Sequence, residues 1–218
     1  MPALADDPRL KLLPPPAVRN GYVTFGCFQN TSKVTDAMLE VWGRILEQLP
    51  QARLRLQIKQ LKEPLERERM QQRLVRAGIS PERVMMEGTV HSRESYLATH
   101  AGVDIILDTF PYPGITTTCE ALWMGVPTLT LAGSTLLSRQ GASLLTCAGL
   151  QDWIASDEQN YVSRALVHAA DIDRLALLRA GLRQTVLSSP LFDAPRFALH
   201  LEDALHGMWE QKRGIVTG

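Results

Sequence analysis

The sequence predicts an α/β protein, a doubly wound parallel sheet followed by C-terminal helices. Three observations carry this expectation. Apolar runs short enough to be buried strands, such as 103–107 and 126–131, alternate with helical patterns from Tyr22 to Cys147. Alternation of this kind winds strands in parallel through right-handed crossovers, with helices on both faces. After Cys147 the patterns are helical alone, and those helices must cover something.

Residues 1–20 are proline-rich and read as a linker or an ordered arm, not a fold element, joining this domain to something before it. The start, Met1 to Pro8, lacks the apolar centre of a signal peptide. Tyr22 to Cys27 is a strand and Phe28 to Lys33 a polar loop. Thr35 is the N-cap of a helix whose stripe is Met38, Val41, Trp42, Ile45, Leu46 and Leu49. Arg53 to Lys59 alternates, which marks a half-buried strand near a sheet edge. Leu65 to Ala77 is a charged surface helix closed by Gly78. Arg83 to Glu87 is a short strand, Ser92 to His100 a helix, and Val103 to Leu107 a buried strand. Val126 to Leu131 is the next strand and Leu137 to Cys147 the next helix. Ser156 and Gln159 have capping-box spacing ahead of a helix to about His168. Asp171 to Leu187 is a further helix, and a last one, led by Asp193 and Pro195, carries Phe197, Leu201, Leu205, Met208 and Trp209.

Charge and cysteine usage narrow the class. Lys+Arg and Asp+Glu are both 23 in 218 residues, so the basic excess of a nucleic-acid protein is missing. No apolar run approaches a membrane span. Cys27, Cys119 and Cys147 are far apart and lack metal spacing, and an odd count points to reduced thiols and a cytoplasmic setting.

The chemistry concentrates in Asp108 to Pro127. A buried strand runs into a Pro/Gly turn, then Thr116, Thr117 and Thr118, then a helical pattern from Cys119 to Met124 that stops at Gly125 and Pro127. A helix start presents unpaired N–H groups and the positive end of its dipole, an anion site. Gly114 would let a ligand approach the backbone, and the threonines add donors. Thr117 and Glu120 also have capping-box spacing, which on its own only secures a helix start.

Three loops, 28–33, 88–93 and 110–118, fall at strand carboxyl ends and would meet in one crevice. They offer Asn30, Lys33, Arg93 and the threonines. Lys33 would give a diphosphate a point charge, Arg93 a planar fork for a base or ribose, and Glu120 would accept from a ribose diol. Each also reads as ordinary surface chemistry. His91 stands where a general base would, although a lone loop histidine is more often inert. No G-x-S-x-G, Walker A or G-x-G-x-x-G motif is present, and no metal site is expected.

These residues resemble a known family. The stretches 22–30 with Lys33, 107–112, 116–127, 138–143 and 188–191 are similar to the C-terminal, donor-binding catalytic lobe of protein O-GlcNAc transferases, in particular the bacterial TPR-linked members. The likeness runs from about Pro15 to Gln211. It implies the Rossmann-like C-terminal lobe of a GT-B glycosyltransferase, with an arm at 1–20, a nucleotide-sugar-binding lobe at 21–188 and a C-terminal helix and tail at 189–218. It implies an inverting reaction without cofactor or metal, a UDP-sugar donor, UDP-GlcNAc, and a protein acceptor. The partner would be an N-terminal catalytic lobe or TPR region in cis or trans. Lys33, stabilising the leaving diphosphate, would act with Asn30, Thr116 and Thr117; Glu120 would hold ribose, Arg93 the nucleoside, and the backbone near Val90 the uracil.

The sequence departs from that pattern at Glu120, where the family usually has Asp, and at Tyr96, where it often has His. Pro113-Gly114-Ile115 replaces Asn-Gly-Gly or Asn-Gly-His. Lacking the other lobe, the chain alone is expected to transfer little or nothing. The alternatives are a non-catalytic remnant, acting as a nucleotide-binding or protein-interaction module, and a nucleotide-sugar epimerase of related fold, which would need acid–base residues of its own.

Overall fold

The structure is a computed structural model that describes residues 7, 10–88 and 90–216. Its strands are β1 (Thr24–Cys27), β2 (Arg53–Gln57), β3 (Val84–Glu87), β4 (Ile105–Leu107), β5 (Thr128–Leu131) and β6 (Ile154–Ala155). Its helices are α1 (Pro16–Asn20), α2 (Asp36–Gln48), α3 (Pro64–Arg76), α4 (Arg93–Ala98), α5 (Thr116–Trp123), α6 (Gln140–Cys147), α7 (Glu158–Ala170), α8 (Ile172–Leu187) and α9 (Ala194–Val216). The strands are all parallel and lie in the order β3-β2-β1-β4-β5-β6. This is the doubly wound sheet that the alternation predicts. Strand order reverses between β1 and β4, where such sheets open a crevice at their carboxyl ends.

The core follows from the predicted stripes. Every residue of β1 is buried, as it must be when helices cover both faces. Phe25, Leu54, Ile105 and Leu129 meet Trp42 of α2 and Tyr161 of α7 in one apolar cluster. Thr35 caps α2 as expected, its hydroxyl accepting from the Met38 amide at 3.2 Å. In β2, one place in from the edge strand β3, Leu54 and Leu56 are buried and Arg53 and Arg55 only partly so.

Four readings are corrected. The proline-rich arm contains a fold element, α1. Asp104 holds it, accepting from the amides of Ala17 at 2.9 Å and Thr24 at 2.7 Å, and Arg183 donates to the Leu10 carbonyl at 2.6 Å. Helices do not follow Cys147 alone, because β6 adds a strand to β5; two residues are too few to show a period. The second capping box is shifted by one residue. Asp157 accepts from the Asn160 amide at 2.7 Å, and Asn160 accepts from the Ser156 amide at 3.2 Å. Finally, α5 begins at Thr116, not after the threonines, and Thr117 and Glu120 do not cap it: its N-cap is Ile115, with no side-chain bond. β-Branched threonines are weak helix formers, so the pattern hid the first turn.

Among the described residues α8 buries Leu175, Leu182 and Val186, whereas Phe197, Leu201, Leu205, Met208 and Trp209 of α9 are all exposed. No described helix is long and apolar enough to cross a membrane.

Candidate functional site

The crevice between β1 and β4 is built on Asp108. Its carboxylate is fully buried at the end of β4. One oxygen accepts from the amides of Gly114 at 2.8 Å and Thr109 at 3.0 Å, the other from the Thr130 hydroxyl at 2.8 Å. The Pro/Gly turn is thereby curled back on its own strand, which aims the start of α5 into the crevice. Burial pushes the Asp108 carboxyl up to about 6, against the pull of those donors and of Lys33.

In α5 the first helical bond is from the Cys119 amide to the Ile115 carbonyl, 3.0 Å, so the amides of Thr116, Thr117 and Thr118 precede the ladder. Thr118 is buried and spends its hydroxyl on the Gly114 carbonyl at 3.1 Å. Thr116 is exposed and Thr117 partly buried.

Lys33 reaches across from the loop after β1. Its Nζ donates to the Pro113 carbonyl at 3.1 Å and to Gln29 Oε1 at 3.4 Å, and stands 4.1 Å from the Tyr112 ring centre. Partial burial lowers its pKa from the usual lysine value, with Asp108 opposing. Asn30 is exposed; its side-chain oxygen accepts from the amide and hydroxyl of Ser32, both at 3.1 Å, which leaves its NH₂ group for other partners.

The third loop arrives through an ion pair. Arg93, at the start of α4, pairs with Glu120 of α5. Beside it Tyr96 packs edge-on to Phe28 and His100, which stack at 4.1 Å. Burial and the Glu120 carboxylate raise the Tyr96 phenol above its ordinary value. Val90 lies partly buried three residues before Arg93, and His91 is exposed without an ion-pair partner among the described residues. Loops 28–33 and 110–118 therefore meet, through Lys33 and Pro113, and the third loop reaches α5 through Arg93 and Glu120.

Two residues escaped the sequence reading. Gln29 is buried, and its amide NH₂ donates to the Thr117 hydroxyl. Its spacing of four from Lys33 was the available signal. Asp108 is the second; its only sequence signal is a carboxylate closing the apolar run 103–107. One expectation changes. The atoms nearest Gly114 are Gln29 Nε2 and Thr117 Oγ1, so the space a side chain would fill is taken by the protein and not left for a ligand. A cavity of about 200 Å³ lined by Phe110, Leu131, Thr135 and Ser138 opens at the ends of β4 and β5. Another, about 290 Å³, lies beside Trp153, His168 and Arg174, and neither cavity is lined by Lys33, Arg93, Thr116, Thr117 or Glu120.

Chemically, the arrangement offers a cation and a helix start to an anion, and a carboxylate and guanidinium to a polyol or base. Residues 16–201 match the family described as Glycosyl transferase family 41.

The chain belongs to glycosyltransferase family 41.

Within family 41 it is 41% identical over 198 residues to the rice (Oryza sativa) protein named probable UDP-N-acetylglucosamine–peptide N-acetylglucosaminyltransferase SPINDLY, covering 91% of this chain and 21% of that one. A Caenorhabditis elegans protein named UDP-N-acetylglucosamine–peptide N-acetylglucosaminyltransferase is 32% identical over 87% of this chain and 16% of its own length. The chain thus spans about a fifth or less of these curated relatives. A solved mutant of the Thermobaculum terrenum O-GlcNAc transferase superposes with TM-score 0.81 at 38% identity, over 88% of this chain and 36% of that one. Sucrose-phosphate synthase from Thermosynechococcus elongatus, at TM-score 0.58 and 17% identity over 93% of this chain and 51% of that one, shares the fold alone. The fold is that of the Rossmann-like lobe of GT-B glycosyltransferases.

Proposed function

We propose that this family 41 chain is the donor-binding part of an inverting, metal-independent glycosyltransferase that moves GlcNAc from UDP-GlcNAc to serine or threonine of proteins. The observation that carries the reading is Lys33 bonded to the Pro113 carbonyl at 3.1 Å, which holds its ammonium against the turn leading into α5. A diphosphate seated there meets the lysine and the first-turn amides together. In transfer, the acceptor oxygen bonds to the anomeric carbon as the sugar–phosphate bond breaks, and the bond electrons pass to the diphosphate. Lys33, Thr116, Thr117 and the amides stabilise that charge, with Asn30 donating beside them. Glu120 and Arg93 take the ribose and nucleoside, and the backbone near Val90 the uracil.

The acceptor protein and the base that takes its proton belong to the rest of the enzyme, an N-terminal lobe or TPR region in cis or trans. The unpaired cysteines among the described residues, Cys27, Cys119 and Cys147, support a cytoplasmic setting. The exposed apolar face of α9 supports association with a further protein surface, so an interaction module without catalysis is the second reading. Titration with UDP-GlcNAc in EDTA separates them: saturable binding that UDP displaces is expected, and no binding at millimolar donor would contradict the donor-site reading.

A further inference from the structure

We infer that Gln29 is a positioning residue of this site, its side-chain amide bridging Lys33 and Thr117 so that both present donors to a diphosphate. The inference rests on the donor-site reading and adds a residue that reading does not contain.

Gln29 is 5% exposed, and a buried amide is costly unless both its ends are paired. Both are: Oε1 accepts from Lys33 Nζ at 3.4 Å, and Nε2 donates to Thr117 Oγ1. A hydroxyl has one proton and two lone pairs. Because Gln29 fills a lone pair of Thr117, the Thr117 proton must find another acceptor, and no described residue accepts it. Thr118 differs, since its proton is committed to the Gly114 carbonyl at 3.1 Å. Thr117 is therefore left as a donor at the helix start. Lys33 has three N–H donors, two of them taken by Pro113 and Gln29; the third has no hydrogen-bond acceptor among the described residues and lies beside the Tyr112 ring, where an anion would compete for it.

Gly114 is independent support. It is not among the glycines with positive φ, so no backbone conformation requires it. A Cβ there would fall on Gln29 Nε2 and Thr117 Oγ1, the two atoms of the bridge. The glycine is explained by the room the bridge needs.

A role in packing alone and a role in orienting donors make different predictions. Gln29→Met keeps the volume and removes both bonds. Gln29→Glu keeps the reach, but a carboxylate only accepts, so it draws the Thr117 proton inward and neutralises Lys33. NMR titrations of the chain with UDP and with uridine read the difference. Both variants are expected to weaken UDP at least tenfold, Gln29→Glu more than Gln29→Met, with uridine changed less than twofold. Thr117→Val combined with Gln29→Met is expected to lose less than the product of the two single losses, because the two side chains act as one unit.

UDP affinity unchanged in both variants overturns the inference and leaves the donor site standing. Equal losses for UDP and uridine, or losses that multiply in the double variant, also overturn it, by assigning Gln29 a packing role. A native chain that binds no UDP overturns the inference together with the donor-site reading. If Gln29→Met does not fold, Gln29→Glu, whose shape matches glutamine, carries the same comparison.

Discussion

The Arg93–Glu120 ion pair is lopsided: the carboxylate side chain is 2% exposed and the guanidinium 46%. Losing either partner therefore has a different cost. Arg93→Ala strands a buried charge and is expected to destabilise the chain by about 3 kcal/mol. Glu120→Gln leaves Arg93 solvated and keeps a side-chain carbonyl as acceptor beside the Tyr96 hydroxyl, and is expected to cost under about 1 kcal/mol. Urea unfolding of both variants checks the order, and equal costs would contradict it.

Gly141 on α6 sits against Asp108, the anchor of the Pro/Gly turn. A Cβ there would strike the Thr130 hydroxyl and lie 2.8 Å from Asp108 Oδ2. Gly141→Ala is expected to break the Thr130–Asp108 bond at a cost of about 2 kcal/mol, and to weaken UDP binding through the released turn. A variant with native stability and affinity would contradict the role given to Asp108.

Two buried groups pull stability in opposite directions with pH. Burial holds the His100 pKa at about 4, below the ordinary 6.5. Between those values the folded chain binds fewer protons than the unfolded one, so this contribution is intact above pH 6.5 and is lost as pH falls toward 4. Asp108 is raised from 3.8 to about 6, so the folded chain binds more protons there, and its contribution is lost as pH rises through 6. His100→Phe should therefore gain about 3 kcal/mol relative to the native chain as pH drops across its window. Asp108→Asn should gain relative to the native chain as pH rises through its own. Denaturant curves at several pH values read both differences, and parallel profiles would contradict them.

Tryptophans mark the limits of the core. Trp42 is 0% exposed within the predicted stripe of α2, and Trp42→Ala is expected to cost about 3–5 kcal/mol. Trp209 on α9 is 53% exposed, and Trp209→Ala should stay within about 0.5 kcal/mol. A large loss at Trp209 would mean that α9 packs on the body of the chain.

The sheet was legible because burial leaves periodic marks: the Met38–Leu46 stripe and the Arg53–Gln57 alternation each named an element and its inward face. The crevice was legible because strand–loop–helix order fixes where loops emerge. Short elements without a full period were not, which hid α1 and β6. The N-terminal turn of α5 was missed for a different reason, since threonine propensity pointed away from helix while the Asp108 clasp on Gly114 imposed it. Gln29 was missed because a bridging amide is defined by its two partners, one on another loop, and sequence spacing exposes only Lys33.

The measurement closest to the central claim is calorimetric titration of the native chain and Lys33→Ala with UDP and with uridine. UDP is expected to bind the native chain, and Lys33→Ala to weaken UDP about ten- to a hundredfold, as loss of a charged hydrogen bond should, with uridine nearly unaffected. Equal UDP affinity in the two proteins, or no UDP binding by the native chain at millimolar concentration, would contradict it.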